Sequence, residues 1–191
     1  MSYQLDQRLN MILPKIKDPN FLSGKGVGND IAFYIFDYAP EFEPRVREHI
    51  KFIMAQLEKN KNGSKVMHIN LFQLLIDHLQ QRKLLDRSIT MQQSKGDDVV
   101  MKALTGPLAA DKLSKLIAET VTTSEAKILF LSGVGSAWPL VRTHRLLNNL
   151  HALIEGVPLV LFYPGEYDGQ YLRLFNLIQE KNYYRAFRLV E

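Results

Sequence analysis

Residues 127–151, KILFLSGVGSAWPLVRTHRLLNNLH, decide how this chain is read. The first five form an apolar run of strand length, a loop with Gly133 and Gly135 follows, and an amphipathic helix opens with Trp138-Pro139. The same grammar returns in residues 157–178, VPLVLFYPGEYDGQYLRLFNLI, where a strand over 158–162 runs into Pro164-Gly165. Buried strands that alternate with amphipathic helices build a parallel sheet covered on both faces, and such sheets bind ligands at the carboxyl ends of their strands. The stretch therefore says where a site would lie, without displaying a reaction.

Working outward, a helix is expected over residues 3–16, ended by Asp18-Pro19. FLSGKGVGND brings Gly24, Gly26 and Gly28 ahead of a strand over 31–37, IAFYIFD, whose aromatic and β-branched residues suit full burial. A helix over 43–60 follows, with Pro44 in its first turn, where the missing N–H is harmless. Asn62-Gly63 marks a turn, a short strand covers 65–70, and a third helix covers 71–85. Residues 86–106 show no clear period; SKGDD at 94–98 reads as an exposed loop, with a flexible loop expected over about 88–106. A helix over 109–120 leads into the strand at 127–131, and a fifth strand is expected at 184–190. The sum is an α/β chain: one three-layer domain over 1–191, with a mostly parallel central sheet of about five strands flanked by helices.

Composition narrows the class. The 46% hydrophobic and 23% charged fractions over 191 residues suit a folded domain with a sizeable core. With no cysteine, the chain has neither disulfides nor a thiolate nucleophile, which fits a reducing interior. MSYQLDQRLNMILPK lacks the apolar core of a signal peptide and no run reaches transmembrane length, so a cytoplasmic protein without membrane contact is expected. The net charge of +4 is spread among acids rather than gathered in a stripe, so direct DNA contact stays open without being favoured.

If the strands are parallel, their ends bring together residues 37–40, Asn70, 132–136 and 163–168. The rim so formed is expected to comprise Asp37, Gly133, Gly135, Trp138, Arg142, Tyr163, Pro164, Gly165, Glu166 and Tyr167, with Arg142 and His144 two turns into the helix. A phosphate cradle needs glycines after a strand, and SGVGS is so placed; it lacks the third glycine of a dinucleotide fingerprint and the Gly-Lys-Ser/Thr of a triphosphate loop. No histidine pair has ligand spacing, and Asp37, Glu166 and Asp168 read as turn carboxylates, so neither metal nor cofactor is expected. No G-x-S-x-G elbow surrounds Ser132 or Ser136, and Ser136 is expected to cap the following helix. No catalytic residue is assigned. The aromatic, basic segment NYYRAFRL at 182–189 reads as a terminal strand, with Tyr183, Tyr184 and Phe187 as stacking faces if nucleic acid binds.

Together SGVGSAWPLVRTHRLLNNL, LVLFYPGEYDG and NYYRAFRL resemble the C-terminal half of the BrxB family of BREX (bacteriophage exclusion) systems, and FYIFDYAPEFEPRVREHI resembles its N-terminal strand-helix unit. The resemblance implies a small cytoplasmic accessory subunit of an anti-phage assembly that methylates host DNA. It also implies companions: a PglZ subunit of the alkaline-phosphatase superfamily, an AAA-type ATPase and a methyltransferase. It carries over no catalytic residue. The expected function is thus a non-enzymatic adaptor docking PglZ above all through Trp138, Tyr163 and Tyr167, since aromatic anchors dominate interfaces. Replacing Tyr167 by Ala is then expected to weaken docking and spare the fold. The alternatives are a degenerate nucleotide-binding, P-loop-like domain and a DNA-contacting subunit.

Overall fold

A computed structural model describes residues 2–22, 32–59, 65–154, 156–179 and 186–191. The glycines at 24, 26 and 28, the Asn62-Gly63 turn and residues 184–185 of the expected fifth strand lie outside them. Five parallel strands form the sheet in the order β2-β3-β4-β1-β7: β1 (Phe33–Tyr38), β2 (Val66–Asn70), β3 (Ile128–Ser132), β4 (Leu159–Tyr167) and β7 (Phe187–Arg188). Two antiparallel strands not foreseen in the sequence, β5 (Leu172–Leu174) and β6 (Ile178–Gln179), fold back on the end of β4.

Period-two alternation divides the core between the two sheet faces. Tyr34, Phe36, Ile128, Phe130, Val160 and Phe162 pack with α1 (Ser2–Lys17) and α3 (Glu43–Lys59). Phe33, Ile35, Leu129, Leu131, Leu159 and Leu161 pack with α4 (Leu71–Gln81), α7 (Ala110–Thr123) and α9 (Thr143–His151). Leu5, Leu9, Ile12 and Ile16 form the buried stripe of α1 at helical spacing. Each contributes roughly 1.5–3 kcal/mol on burial, which outweighs the cost of Pro14 inside that helix. The chain leaves β1 through α3 for the far edge at β2, then returns strand by strand through helices on the opposite face. Reversing both the direction of travel and the face gives the β1–β2, β2–β3 and β3–β4 crossovers one hand, the right-handed one expected between parallel strands.

The expectations that fail do so at breaks. The helix expected over 71–85 stops at Gln81, because Lys83 takes a left-handed φ of 56°. Residues 88–106, expected as a flexible loop, hold most of two helices, α5 (Leu85–Lys95) and α6 (Asp97–Leu104), parted only by Gly96 at φ 81°. A single glycine there does the work assigned to SKGDD. The helix expected to open at Trp138-Pro139 is also displaced. Residues 134–137 form their own turn, α8 (Val134–Ala137), the Trp138–Pro139 bond is cis, and α9 begins at Thr143. The remaining short elements are α2 (Pro19–Leu22) and a 3₁₀ turn (Pro40–Phe42).

Candidate functional site

The strand ends bring part of the expected rim together, Asp37 beside Tyr167 and Gly135 beside Pro164, and then fill it. β1 sends its chain to one face and β3 to the other, which defines the crevice where a doubly wound sheet normally admits a ligand. Here β4 does not stop at Phe162. It continues through Tyr163, Pro164, Gly165 and Glu166 to Tyr167, bulging against Tyr38 and pairing with β5 in the register Gly165–Leu174, Glu166–Arg173, Tyr167–Leu172. The expected loop at 163–168 is therefore mostly strand, and the β4–β5 ribbon occupies the mouth of the sheet.

Close packing explains the glycines there. A Cβ on Gly165 would stand 2.1 Å from the Arg173 carbonyl oxygen, and one on Gly135 would stand 2.9 Å from both Phe175 and Pro164. Gly133 combines a φ of 73° with a neighbour, Asn70, whose Oδ1 would lie 2.4 Å from an added Cβ. Asn70 is held in place by capping α4, its Oδ1 accepting from the Gln73 N–H at 3.1 Å. Phe175 and Pro164 thus sit against the very turn that a phosphate would have to approach.

Asp37, at the end of β1, is the electrostatic centre of this region. Its Oδ1 accepts from Arg8 of α1 at 2.7 Å, and its Oδ2 from the Tyr167 N–H at 3.1 Å and Arg188 of β7 at 3.3 Å. Arg8 also reaches the carbonyls of Asp37 and Val190 and lies 4.8 Å above the Phe36 ring. Arg188 donates to the Tyr167 carbonyl, and the Tyr167 hydroxyl donates to the Ala186 carbonyl at 2.8 Å. Two guanidinium groups and a backbone amide thus surround one carboxylate, which makes Asp37 a joint between α1, β4 and β7. Beside it, the Tyr38 hydroxyl donates to Glu43; burial first and the Glu43 carboxylate second push that phenol far above its usual range.

The other candidates separate from this joint. Tyr163 and Tyr167 are 0% and 1% exposed, so neither offers the anchoring surface expected of it. Replacing Tyr167 by Ala would strike the core and the joint, contrary to the expectation that the fold is spared. Glu166 is exposed and faces Arg173 across the ribbon at 3.4 Å. Asp168 closes the turn, and the N–H groups of Tyr171 and Gln170 hold its carboxylate below the usual range. Ser136 lies inside α8 and caps nothing. Arg142 stands at the N-cap of α9 and His144 in its first turn, not two turns in. Arg142 lies 5.8 Å from the centroid of the partly buried Trp138 ring, on the α9 side of the sheet.

One pairing escaped the sequence: His68 Nε2 and Ser132 Oγ meet 2.8 Å apart across β2 and β3. Burial lowers the His68 pKa below its usual 6.5, so the ring is neutral at pH 7. Ser132 is 4% exposed, and among the described residues His68 has no carboxylate partner to orient it. The pair is a satisfied core contact and lacks the third member and open face of a nucleophilic triad. Among the described residues, no three His, Asp or Glu side chains gather as a metal site, and no helix is long and apolar enough to cross a membrane.

Residues 101–149 hold the other feature missed. An open groove of about 560 Å³ runs between α6, the start of α7 and the segment from Pro139 to Asn149. Leu104, Leu108 and Leu140 supply apolar lining, while Arg142, Arg145, Asn148 and Asn149 supply polar groups. The signal was present, since positions 142, 145, 148 and 149 repeat at helical spacing.

The fold and site define a doubly wound α/β protein whose strand-end crevice is occupied by its own β-ribbon. A family model described as "BREX protein BrxB" matches residues 67–189. The chain is 41% identical over 190 residues to a BREX protein BrxB of Bacillus cereus (strain H3081.97), covering 98% of each chain. It is 40% identical over 186 residues to a BREX protein BrxB of Escherichia coli O9:H4 (strain HS), covering 97% of this chain and 92% of that one. The chain therefore belongs to the BrxB family, proteins of the BREX systems of phage defence. No solved structure matches it.

Proposed function

We propose that the chain is a non-catalytic docking subunit of a cytoplasmic BREX assembly, holding a PglZ-type subunit first and the ATPase or methyltransferase second. The observation that supports this reading most is the self-occupied crevice: Pro164, Gly165 and Phe175 fill the place where an α/β enzyme would seat its ligand. The polar groups at the strand ends are already committed to one another around Asp37. A small subunit whose internal site is closed acts through its outer surface.

The test is purification of the tagged protein from cells expressing a complete BREX cluster, followed by size-exclusion chromatography. A PglZ-type subunit eluting with it in fixed ratio is the expected result. Elution of the tagged chain by itself, at a concentration where the other subunits are abundant, would overturn the reading.

A further inference from the structure

The groove between α6 and α9 is edged by two arginines, Arg142 over the Trp138 ring and Arg145 one turn on. Arg142 is the N-cap of α9 and Arg145 lies in its first turn, which contains no acidic residue. That is the end of a helix where the macrodipole favours anions and disfavours cations. Among the described residues, neither arginine has a carboxylate within ion-pair distance. The lining contains one acid, Asp111, against these two cations, while the partly exposed Met101, Pro139 and Leu140 form an apolar strip beside them and Leu104 and Leu108 are themselves buried. α6 is paired with α5, a helix of 11 residues that buries none of them, and the pair leaves Ile89 and Val99 50% and 42% exposed.

An apolar strip edged by uncompensated arginines is complementary to an amphipathic helix with acidic flanks. We infer that this groove, rather than the strand-end rim, receives an acidic amphipathic helix from another subunit of the assembly; the inference rests on the docking function proposed above. The apolar lining disfavours a nucleic-acid backbone, which carries charge along its whole length. Arg142 and Arg145 act as guanidinium clamps for carboxylates, a role their fork geometry suits better than lysine would.

The experiment places a photo-crosslinking amino acid at position 148, an exposed position of the lining, in the protein purified with its BREX partners. The expected product joins position 148 to a peptide of another subunit that carries Asp or Glu among helically spaced apolar residues. A product with a second copy of this chain, with DNA or with a peptide lacking acids would overturn the inference. So would the absence of any product while the partners still co-purify, whereas loss of all partners from the unmodified protein would overturn the docking function itself. In parallel, R142E/R145E should retain about tenfold less partner with a melting temperature that is not lowered, because the reversed charges repel an acidic helix while suiting the N-terminus of α9. Undiminished retention by that variant would also overturn it.

Discussion

Single residues at the strand ends are fixed by distance. Gly165 has no room for one more carbon, since the Arg173 carbonyl would be 2.1 Å away and belongs to a paired strand. Gly165→Ala should therefore cost about 3 kcal/mol of stability by overpacking, read as a lowered urea midpoint. His68 gives a pH signature. Its folded pKa lies below the usual 6.5 because burial disfavours the cation, so the unfolded chain binds the proton first as pH falls. The stability from neutral His68 is present above pH 6.5 and is lost as pH drops through the folded value; half-buried His49 adds in the same direction. Denaturation midpoints of wild type should fall between pH 7.5 and 5, and His68→Gln should show a smaller fall. An equal fall in both would remove His68 as a source. Neither residue announced its role in the sequence: glycine after a strand reads equally as a cradle, a turn or a close contact, and only coordinates choose.

Elements are joined here by a carboxylate as much as by packing. Asp37 ties α1, β4 and β7 together, and its removal would leave Arg8 without its carboxylate partner and Arg188 with only the exposed Glu191 at 3.5 Å. Asp37→Ala should cost about 3 kcal/mol, the order expected when one member of a largely buried ion pair is deleted. Amide exchange should show β7 and α1 losing protection before β3 does. A second expectation concerns α5, which buries no residue and has 11 residues, too few to be stable as an isolated helix. Its amides should exchange well ahead of those of α7, with five residues buried, and should gain protection when the BREX partners are bound. The elements with a buried stripe were legible, as α1, α3 and α7 illustrate. α5 and α6 were not, because an exposed helix lacks the apolar period that betrays one. β5 was hidden by its length of three residues, and α9 by the turn at α8, which moved its start from Trp138 to Thr143.

For the whole molecule, alternation of strand and helix predicted the layers and the parallel sheet, because burial on both faces leaves a continuous apolar run in each strand. It could not give the order β2-β3-β4-β1-β7, which depends on which edge each crossover reaches. Nor could it show that the mouth of the sheet is stopped by its own ribbon. That closure yields a prediction for the intact protein: ATP or ADP with magnesium at millimolar concentration should leave the melting temperature unchanged. A rise would require the β4–β5 ribbon to move aside for a ligand held by the native state alone.

The sheet order also governs how this protein is made. Among the described residues β1 pairs with β4 and β7, both later in the chain, and β4 begins about 120 residues after β1 ends. At a synthesis rate of 5–20 residues per second, FYIFDY emerges from the ribosome and waits roughly 6–24 s for its first hydrogen-bonded neighbour. Six consecutive residues destined for full burial are meanwhile without a template, in a nascent chain where α1, among the described residues, is the long helix that precedes them. The order of the sheet thus sets the interval in which a chaperone that binds apolar segments could hold this one.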